Sequence, residues 1–545
     1  MWIEGMPLMT PCASRLTDLR SLLVEEGGDG FLVPRTDAHQ GEYIAPCDER
    51  LAWLTGFTGS AGIAIILKDK AALFVDGRYT LQAKNQVDPN LYEICSLNDC
   101  PPWVWASQNL EIGQKIFYDP WLHTLHDKTQ AEKVWQSAGV SFFPLTPNLI
   151  DRLWKDRPLP PLQPVRIHDV LYAGVSSTAK RQQIAQHLHE KRADVVILTA
   201  SESIAWLLNI RGNDIPHTPV AQGFAVFWAD TTVDLFIAPE QISGKVKEYL
   251  GAGVRLHAPT SLEGWLSDLD DETAVMVDPA VTPLAVIQQL TKCAVIHHPD
   301  PCALPKALKN PIEAEGARQA HIADGIAVTR FLAWLSRVPL TKPVTEMEVA
   351  DKLLALRQEN PLFKDTSFHT IAGTGPHGAI VHYRATPETN RSLEVNSLFL
   401  IDSGGQYLTG TTDVTRTVAI GTPSHEHKDR FTRVLKGHIA IATTLFPFGT
   451  SGSQLDTLAR HALWQVGLDY EHGTGHGVGS YLNVHEGPQR ISKTPSPVAL
   501  QPGMIVSNEP GYYKAGAYGI RIESLVLVVE KDIPEGGERP LLGFE

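Results

Sequence analysis

At 545 residues, 43% of them apolar and 20% charged, the chain has an ordinary globular composition and is too long for a single core. Its formal charge of −14 argues against nucleic acid or an anionic membrane surface as a partner, and no apolar run reaches the roughly 18 residues of a membrane span. Six scattered cysteines with no CxxC pair point to reduced thiols, and the opening MWIEGMPLMTPCASRL lacks the basic start and apolar core of a leader, so the expected compartment is the cytoplasm.

The first unit, 1–160, reads as mixed α/β. A helix is expected over 14–26 and a strand over 30–34, and LAWLTGFTGSAGIAIILKDKAALFVDGRY then alternates strand-like runs with Gly and Asp turns. Gly56, Gly59 and Gly62 lack the G-x-G-x-x-G spacing and no helix start follows, so they read as a plain turn and not a phosphate loop. Asp76-Gly77-Arg78-Tyr79 reads as a second turn with a salt-bridging arginine. Pro158, Pro160, Pro161 and Pro164 mark a linker.

The second unit, 161–308, repeats that plan: a helix over 178–192, the strand VVILTA, then IAWLLNIRGNDIPHTPVAQGFAVFWADTTVDLFIAP. Ala52-Trp53-Leu54 matches Ala205-Trp206-Leu207, and each Trp leads to a Gly-containing turn and a hairpin, the mark of a diverged duplication. The third unit, 309–545, opens on two helices. One has Asn310 as N-cap, Pro311 at the first helical position and Glu313 at the third. The other has the capping box Thr345 and Glu348.

Beyond 398, five potential ligands follow in order: Asp402 in LFLIDSGGQY, Asp413 in GTTDVTRTV, His476 in EHGTGHGVGS, Glu509 in VSNEPGYY and Glu523 in YGIRIESLVLV. Four carboxylates and one imidazole form a hard, oxygen-rich set suited to Mn²⁺, Mg²⁺ or Co²⁺. Four anions on one divalent ion would leave excess negative charge, so two ions are expected. Asp402 ends an apolar strand, and a hairpin centred near Tyr407 would bring Asp413 to the neighbouring strand. His472 and His476 have helical spacing, but the glycines at 473, 475, 477 and 479 disfavour a helix and suit an extended segment close to substrate. Arg521 and Glu523 alternate onto one face of a single expected strand. His382 and Tyr383 are expected at the end of another apolar strand, and His377 reads as structural.

This order of ligands, HGTGHGVG followed by NVHEGP, resembles the pita-bread metallopeptidases, the methionine and Xaa-Pro aminopeptidases, and within them the large three-domain Xaa-Pro type. Asn209-Ile210-Arg211-Gly212 is similar to that family's second-domain signature. The resemblance implies a fold of α/β and α+β parts, two creatinase-like N-terminal domains followed by a pita-bread catalytic domain. It implies two divalent ions, with Mn²⁺ foremost and Co²⁺ or Zn²⁺ as alternatives. Asp413 and Glu523 would bridge them, Asp402 would complete one, and His476 with Glu509 the other. It further implies release of the first residue of short peptides with proline second, by attack of a hydroxide held between the ions. Glu509 would carry the proton and His382 would contact the substrate and help stabilise the oxyanion. His472 and His485 would wall the substrate pocket, and Tyr513 and Arg521 would hydrogen-bond around the metals.

The chain stops 22 residues after Glu523, where relatives of this type continue with a strand and helices that contribute to a homodimer contact; a shortened C-terminal end is therefore the expectation. Two other readings exist. A creatinase-like hydrolase on the same fold works without metal, but has no use for five ligands. A non-catalytic binding protein could keep the fold and lose the chemistry.

Overall fold

The structure, a computed structural model, describes residues 11–338 and 344–545; the segment 1–10, where most of the leader reading lies, falls outside them. Two six-stranded sheets of identical topology dominate the N-terminal half. From edge to edge the first runs Glu93–Ser96, Ala71–Val75, Ile63–Leu67, Gly30–Pro34, Lys115–Tyr118 and Ser141–Pro144. The second runs Val254–His257, Val233–Phe236, Phe224–Trp228, Val195–Leu198, Ala274–Val277 and Ala294–His297. Each position matches in direction: two antiparallel pairings from the founding strand, flanked by parallel ones. The helices carrying Trp53, Arg50–Thr55, and Trp206, Ser201–Leu208, follow the founding strand in each copy. The duplication in the sequence is thus a duplication of topology.

Helices cover both faces of each sheet, which is why the founding strands read as continuous apolar runs. Phe31 and Val33 enter the core on one face and Leu32 that on the other. The proline-rich stretch from Pro158 crosses to the second sheet without regular structure, and Val165 N–H donates to the Gln241 carbonyl at 2.9 Å.

The C-terminal part opens on the helices Pro311–Leu335 and Glu346–Gln358, each closed by its capping box. They pack on a three-stranded sheet of Ile371–Thr374, Ser397–Ser403 and Val414–Ile420 through Phe331, Leu353 and Phe399. A six-stranded sheet follows, in the order Phe446–Pro447, Leu541–Phe544, Ser524–Lys531, Ile505–Asn508, Gly475–Gly477, Glu486–Ile491. The strand Leu541–Phe544 pairs on both sides, with Ser524–Lys531 and with Phe446–Pro447. No described helix is long and apolar enough to cross a membrane, and all six cysteines are free.

Two local expectations fail. The strand expected to carry Arg521 and Glu523 together is broken, because the chain changes partner there. Tyr518–Arg521 pairs with Gly511–Lys514, whereas Ser524–Lys531 joins the large sheet. The N–H groups of Ile522 and Glu523 in the gap go to the carbonyls of Pro510 (3.3 Å) and Thr415 (3.2 Å). His382 does not end a strand either. The strand Ile371–Thr374 gives way to a 3₁₀ turn, Gly375–Ala379, and His382 lies in the following turn. That bend lets the Gly378 backbone meet Gly519 so closely that a Cβ on Gly519 would sit 1.6 Å from the Gly378 oxygen.

Candidate metal centre and active site

Asp402 lies on Ser397–Ser403, opposite Thr415 of the antiparallel strand Val414–Ile420, and Asp413 immediately precedes that strand. Glu523, in the break between strands, accepts a hydrogen bond from Thr415 Oγ1 at 2.7 Å. One oxygen of each of Asp402, Asp413 and Glu523 falls within 4.8 Å of the other two. The same holds for His476, Glu509 and Glu523, so two such groups share Glu523. Asp413 also joins His476 and His485 in a third group.

Asp402 Oδ1 and Asp413 Oδ1 are buried with no hydrogen-bond partner, a costly state for carboxylates unless something else binds there. Burial, compounded by the charges of Asp402 and Glu509, pushes the Asp413 carboxyl well above its ordinary range. Burial and the charges of Asp413, Glu509 and Asp402 do the same to Glu523. Arg521 offsets them in part, donating from Nη2 to Asp402 Oδ2 at 2.6 Å. The donor set is therefore short of positive charge and rich in free lone pairs, and two divalent ions fit it.

The histidine at this centre is oriented for the same purpose. His476 Nδ1 lies 3.0 Å from the Gly477 carbonyl, which can only accept, so Nδ1 carries the proton. Its Nε2 lone pair then faces Asp413 Oδ2 at 3.5 Å and Glu509 Oε1 at 3.4 Å. A lone pair opposed to two carboxylates is repulsive without a cation and is the arrangement a metal ligand needs. Glu509 is held by its own N–H on the Thr474 carbonyl (2.8 Å) and by Ser507 Oγ on Oε1 (3.0 Å).

The glycines around His476 have a steric reason: a Cβ on Gly475 would lie 1.9 Å from the Ser507 oxygen, and one on Gly477 2.4 Å from the Glu486 oxygen. Gly475–Gly477 runs extended between two strands, and only glycine permits that approach.

A cavity of about 510 Å³ contains all five ligand candidates together with His382, His472, His485 and Arg521. Tyr513 stands behind its wall. Its hydroxyl accepts from Arg521 Nη1 at 2.7 Å and donates to His472 Nε2 at 2.8 Å, because His472 Nδ1 is committed to the Gly473 carbonyl. Burial, helped by Arg521, pushes the His472 imidazole down to about 3, so it stays neutral. His377 pairs with both oxygens of the fully buried Glu346, at 2.9 and 3.0 Å, away from the cavity.

Sequence reasoning missed the first domain's share of this cavity. Glu42, Ser60, Arg78 and Tyr79 all line it. The turns read as plain are turns, but they face the chemistry. Glu42 Oε2 accepts from His485 Nδ1 at 2.7 Å, and Arg78 Nη1 donates to Glu42 Oε1 at 3.1 Å. The signal lay in topology. Antiparallel pairing puts the end of Gly30–Pro34, the start of Ile63–Leu67 and the end of Ala71–Val75 at one edge, where the loops bearing these residues emerge.

Comparison with known proteins agrees with this geometry. Residues 315–530 match the model of metallopeptidase family M24, and 15–153 and 156–313 each match a creatinase/prolidase N-terminal domain. A probable Xaa-Pro aminopeptidase P of Paracoccidioides brasiliensis (strain Pb03) is 41% identical over 98% of this chain and 90% of its own. The chain belongs to metallopeptidase family M24, among its three-domain Xaa-Pro aminopeptidases. Aminopeptidase P2 of Arabidopsis thaliana is 39% identical, covering 97% of this chain and 80% of its own. The crystal structure of an X-prolyl aminopeptidase from Caenorhabditis elegans, described as a cytosolic enzyme with a di-nuclear active site, superposes with a TM-score of 0.95. It is 36% identical, over 99% of this chain and 90% of that one. This M24 member thus has the fold expected from its sequence, two creatinase-type domains and a catalytic domain.

Proposed function

We propose that this chain is a dinuclear Xaa-Pro aminopeptidase that releases the first residue of short peptides whose second residue is proline. The observation that carries the reading is the convergence of Asp402, Asp413 and Glu523 with two orphaned buried oxygens, beside a histidine whose lone pair faces two carboxylates. Asp402, Asp413, His476, Glu509 and Glu523 would hold the two ions, with Asp413 and Glu523 able to serve both. The ion is Mn²⁺, as the oxygen-rich set favours; Co²⁺ and Zn²⁺ are alternatives. When bound, such a pair supplies Lewis acidity and an activated water at neutral pH.

The chain's own residues do the rest. Glu509, anchored through Ser507, accepts a proton and returns it to the leaving proline nitrogen. Arg521 fixes Asp402 and, through Tyr513, fixes His472. His472 and His485 form walls of the proline site, and His382 faces the substrate. The scissile bond is a tertiary amide without N–H, so selection rests on shape and on the N–H groups to either side of it.

The division into 1–160, 161–308 and 309–545 follows the same reading. So does a cytosolic location, supported by the six free cysteines and the nematode relative. The formal charge of −14 supports a peptide and not nucleic acid or an anionic membrane surface as the partner. A homodimer is the proposed assembly, supported by exposed Ile439, Leu458, Trp464 and Val466 on the paired helices His425–Ala442 and Gly452–Trp464 and just beyond them.

Calorimetric titration of chelator-stripped protein with Mn²⁺ tests the metal reading. Two ions per chain are expected, falling to one or none in Asp413→Asn with loss of hydrolysis. A single ion in the wild type would overturn it.

A further inference from the structure

Three cavity residues of the first domain form a directed chain of hydrogen bonds that ends on His382 of the third. Glu42 Oε1 lies 2.9 Å from Ser60 Oγ, Ser60 Oγ lies 2.6 Å from Tyr79 Oη, and Tyr79 Oη lies 2.6 Å from His382 Nδ1. The same Glu42 oxygen accepts from Arg78 Nη1. Each hydroxyl in the chain owns one proton, so the direction of the whole chain follows from its first member.

Burial alone would raise the Glu42 carboxyl, but His485 and Arg78 outweigh it and hold it well below the ordinary carboxylate range. An ionised carboxylate can only accept. Ser60 must therefore donate to Glu42, which leaves its oxygen to accept from Tyr79. Tyr79 has then spent its proton, and its oxygen accepts from His382 Nδ1–H. The opposite direction would set the Ser60 oxygen against an ionised carboxylate at 2.9 Å with no proton between them.

We propose that Tyr79 and Ser60 are positioning residues that lock His382 as its Nδ1–H tautomer, so that it offers the substrate a hydrogen-bond acceptor at Nε2 and not a donor. Burial, with Arg78 and Arg521, keeps the imidazole neutral, so Nε2 has no proton to give. His382 then cannot help an oxyanion, which needs donors. It suits instead an N–H of the peptide. The Xaa-Pro bond itself has none, so the partner is the free amino terminus or the amide after the proline. The same carboxylate fixes His485 directly, through Nδ1–H to Glu42 Oε2. One acidic residue of the first domain thus sets the tautomers of two histidines of the third. This assignment of a substrate partner rests on the peptidase reading; the tautomer does not.

The test is nitrogen NMR of the full chain with ¹⁵N-labelled histidine, loaded with diamagnetic Zn²⁺, the His382 signals being identified by their loss in His382→Gln. In the wild type, Nδ1 is expected to be the protonated nitrogen and Nε2 the pyridine-type one. Ser60→Ala leaves Tyr79 against His382 but frees the Tyr79 hydroxyl to donate to Nδ1, so His382 should switch to Nε2–H. Hydrolysis of a Xaa-Pro peptide should fall with it, about 10–100-fold in kcat/KM, the usual effect of losing such a partner. Tyr79→Phe removes the acceptor of Nδ1–H and should give a mixture of tautomers. A purely structural Ser60 would leave the tautomer unmoved. Nε2–H in the wild type, or an unchanged tautomer in a folded Ser60→Ala protein, overturns the proposal. No cleavage with the Nδ1–H pattern intact would instead sink the peptidase reading and leave the hydrogen-bond chain standing.

Discussion

Asp413 and Glu523 are acids held in an environment that resists their charge. Without a cation, the folded chain binds more protons than the unfolded one above the ordinary carboxylate pKa of about 4. Their contribution to stability is therefore fully present below that pH and is lost as pH rises through the elevated folded values. Melting of chelator-stripped protein should show this loss as pH rises above about 4, and Asp413→Asn, which removes one of the two groups, should flatten the slope. Metal should reverse the trend in the wild type, because its ligands bind it deprotonated. Equal slopes for the metal-free wild type and Asp413→Asn would mean that these carboxylates do not repel one another as the geometry requires.

At the scale of elements, the site depends on where regular structure stops. Glu523 reaches the centre because the chain leaves one sheet and joins another at Ile522, and His382 because a glycine turn bends its segment under Gly519. Gly519→Ala would drive a Cβ into the Gly378 carbonyl, and the backbone must yield. A loss of about 3 kcal/mol in denaturant unfolding is expected, with reduced hydrolysis because the His382 turn moves. Unchanged stability would show that the contact is looser than described.

Neither break was legible in the sequence. YGIRIESLVLV alternates polar and apolar residues only as far as Glu523, but it has no proline and no turn residue at the break, so nothing local dictates that residues 518–521 and 524–531 pair with different strands. GAIVHY likewise has strand-like apolarity; the Gly375-Pro376-His377-Gly378 turn before it bends the segment, and the close approach of Gly519 that this bend serves is not visible in the local sequence. By contrast, the capping boxes at Asn310 and Thr345 were legible because their signals lie within four residues.

Across the whole molecule, the duplicated domains have diverged in use. The first sends Glu42, Ser60, Arg78 and Tyr79 into the cavity from one edge of its sheet. The second supports the cavity from outside. Arg211, in the Asn209-Ile210-Arg211-Gly212 signature, donates to the carbonyls of Tyr481 (2.6 Å) and Ser480 (3.1 Å) in the loop between His476 and His485. The ligand order was readable along one stretch of chain, but the first domain's share was not, because His382 and Tyr79 are 303 residues apart and meet only through the fold.

The most direct measurement is release of the N-terminal residue from an Arg-Pro-Pro peptide by chelator-stripped protein, before and after Mn²⁺ is restored, with Arg-Ala-Ala as control. The account predicts cleavage of Arg-Pro-Pro alone and only with metal. Cleavage without metal, equal cleavage of both peptides, or none by protein that has bound two ions would contradict it.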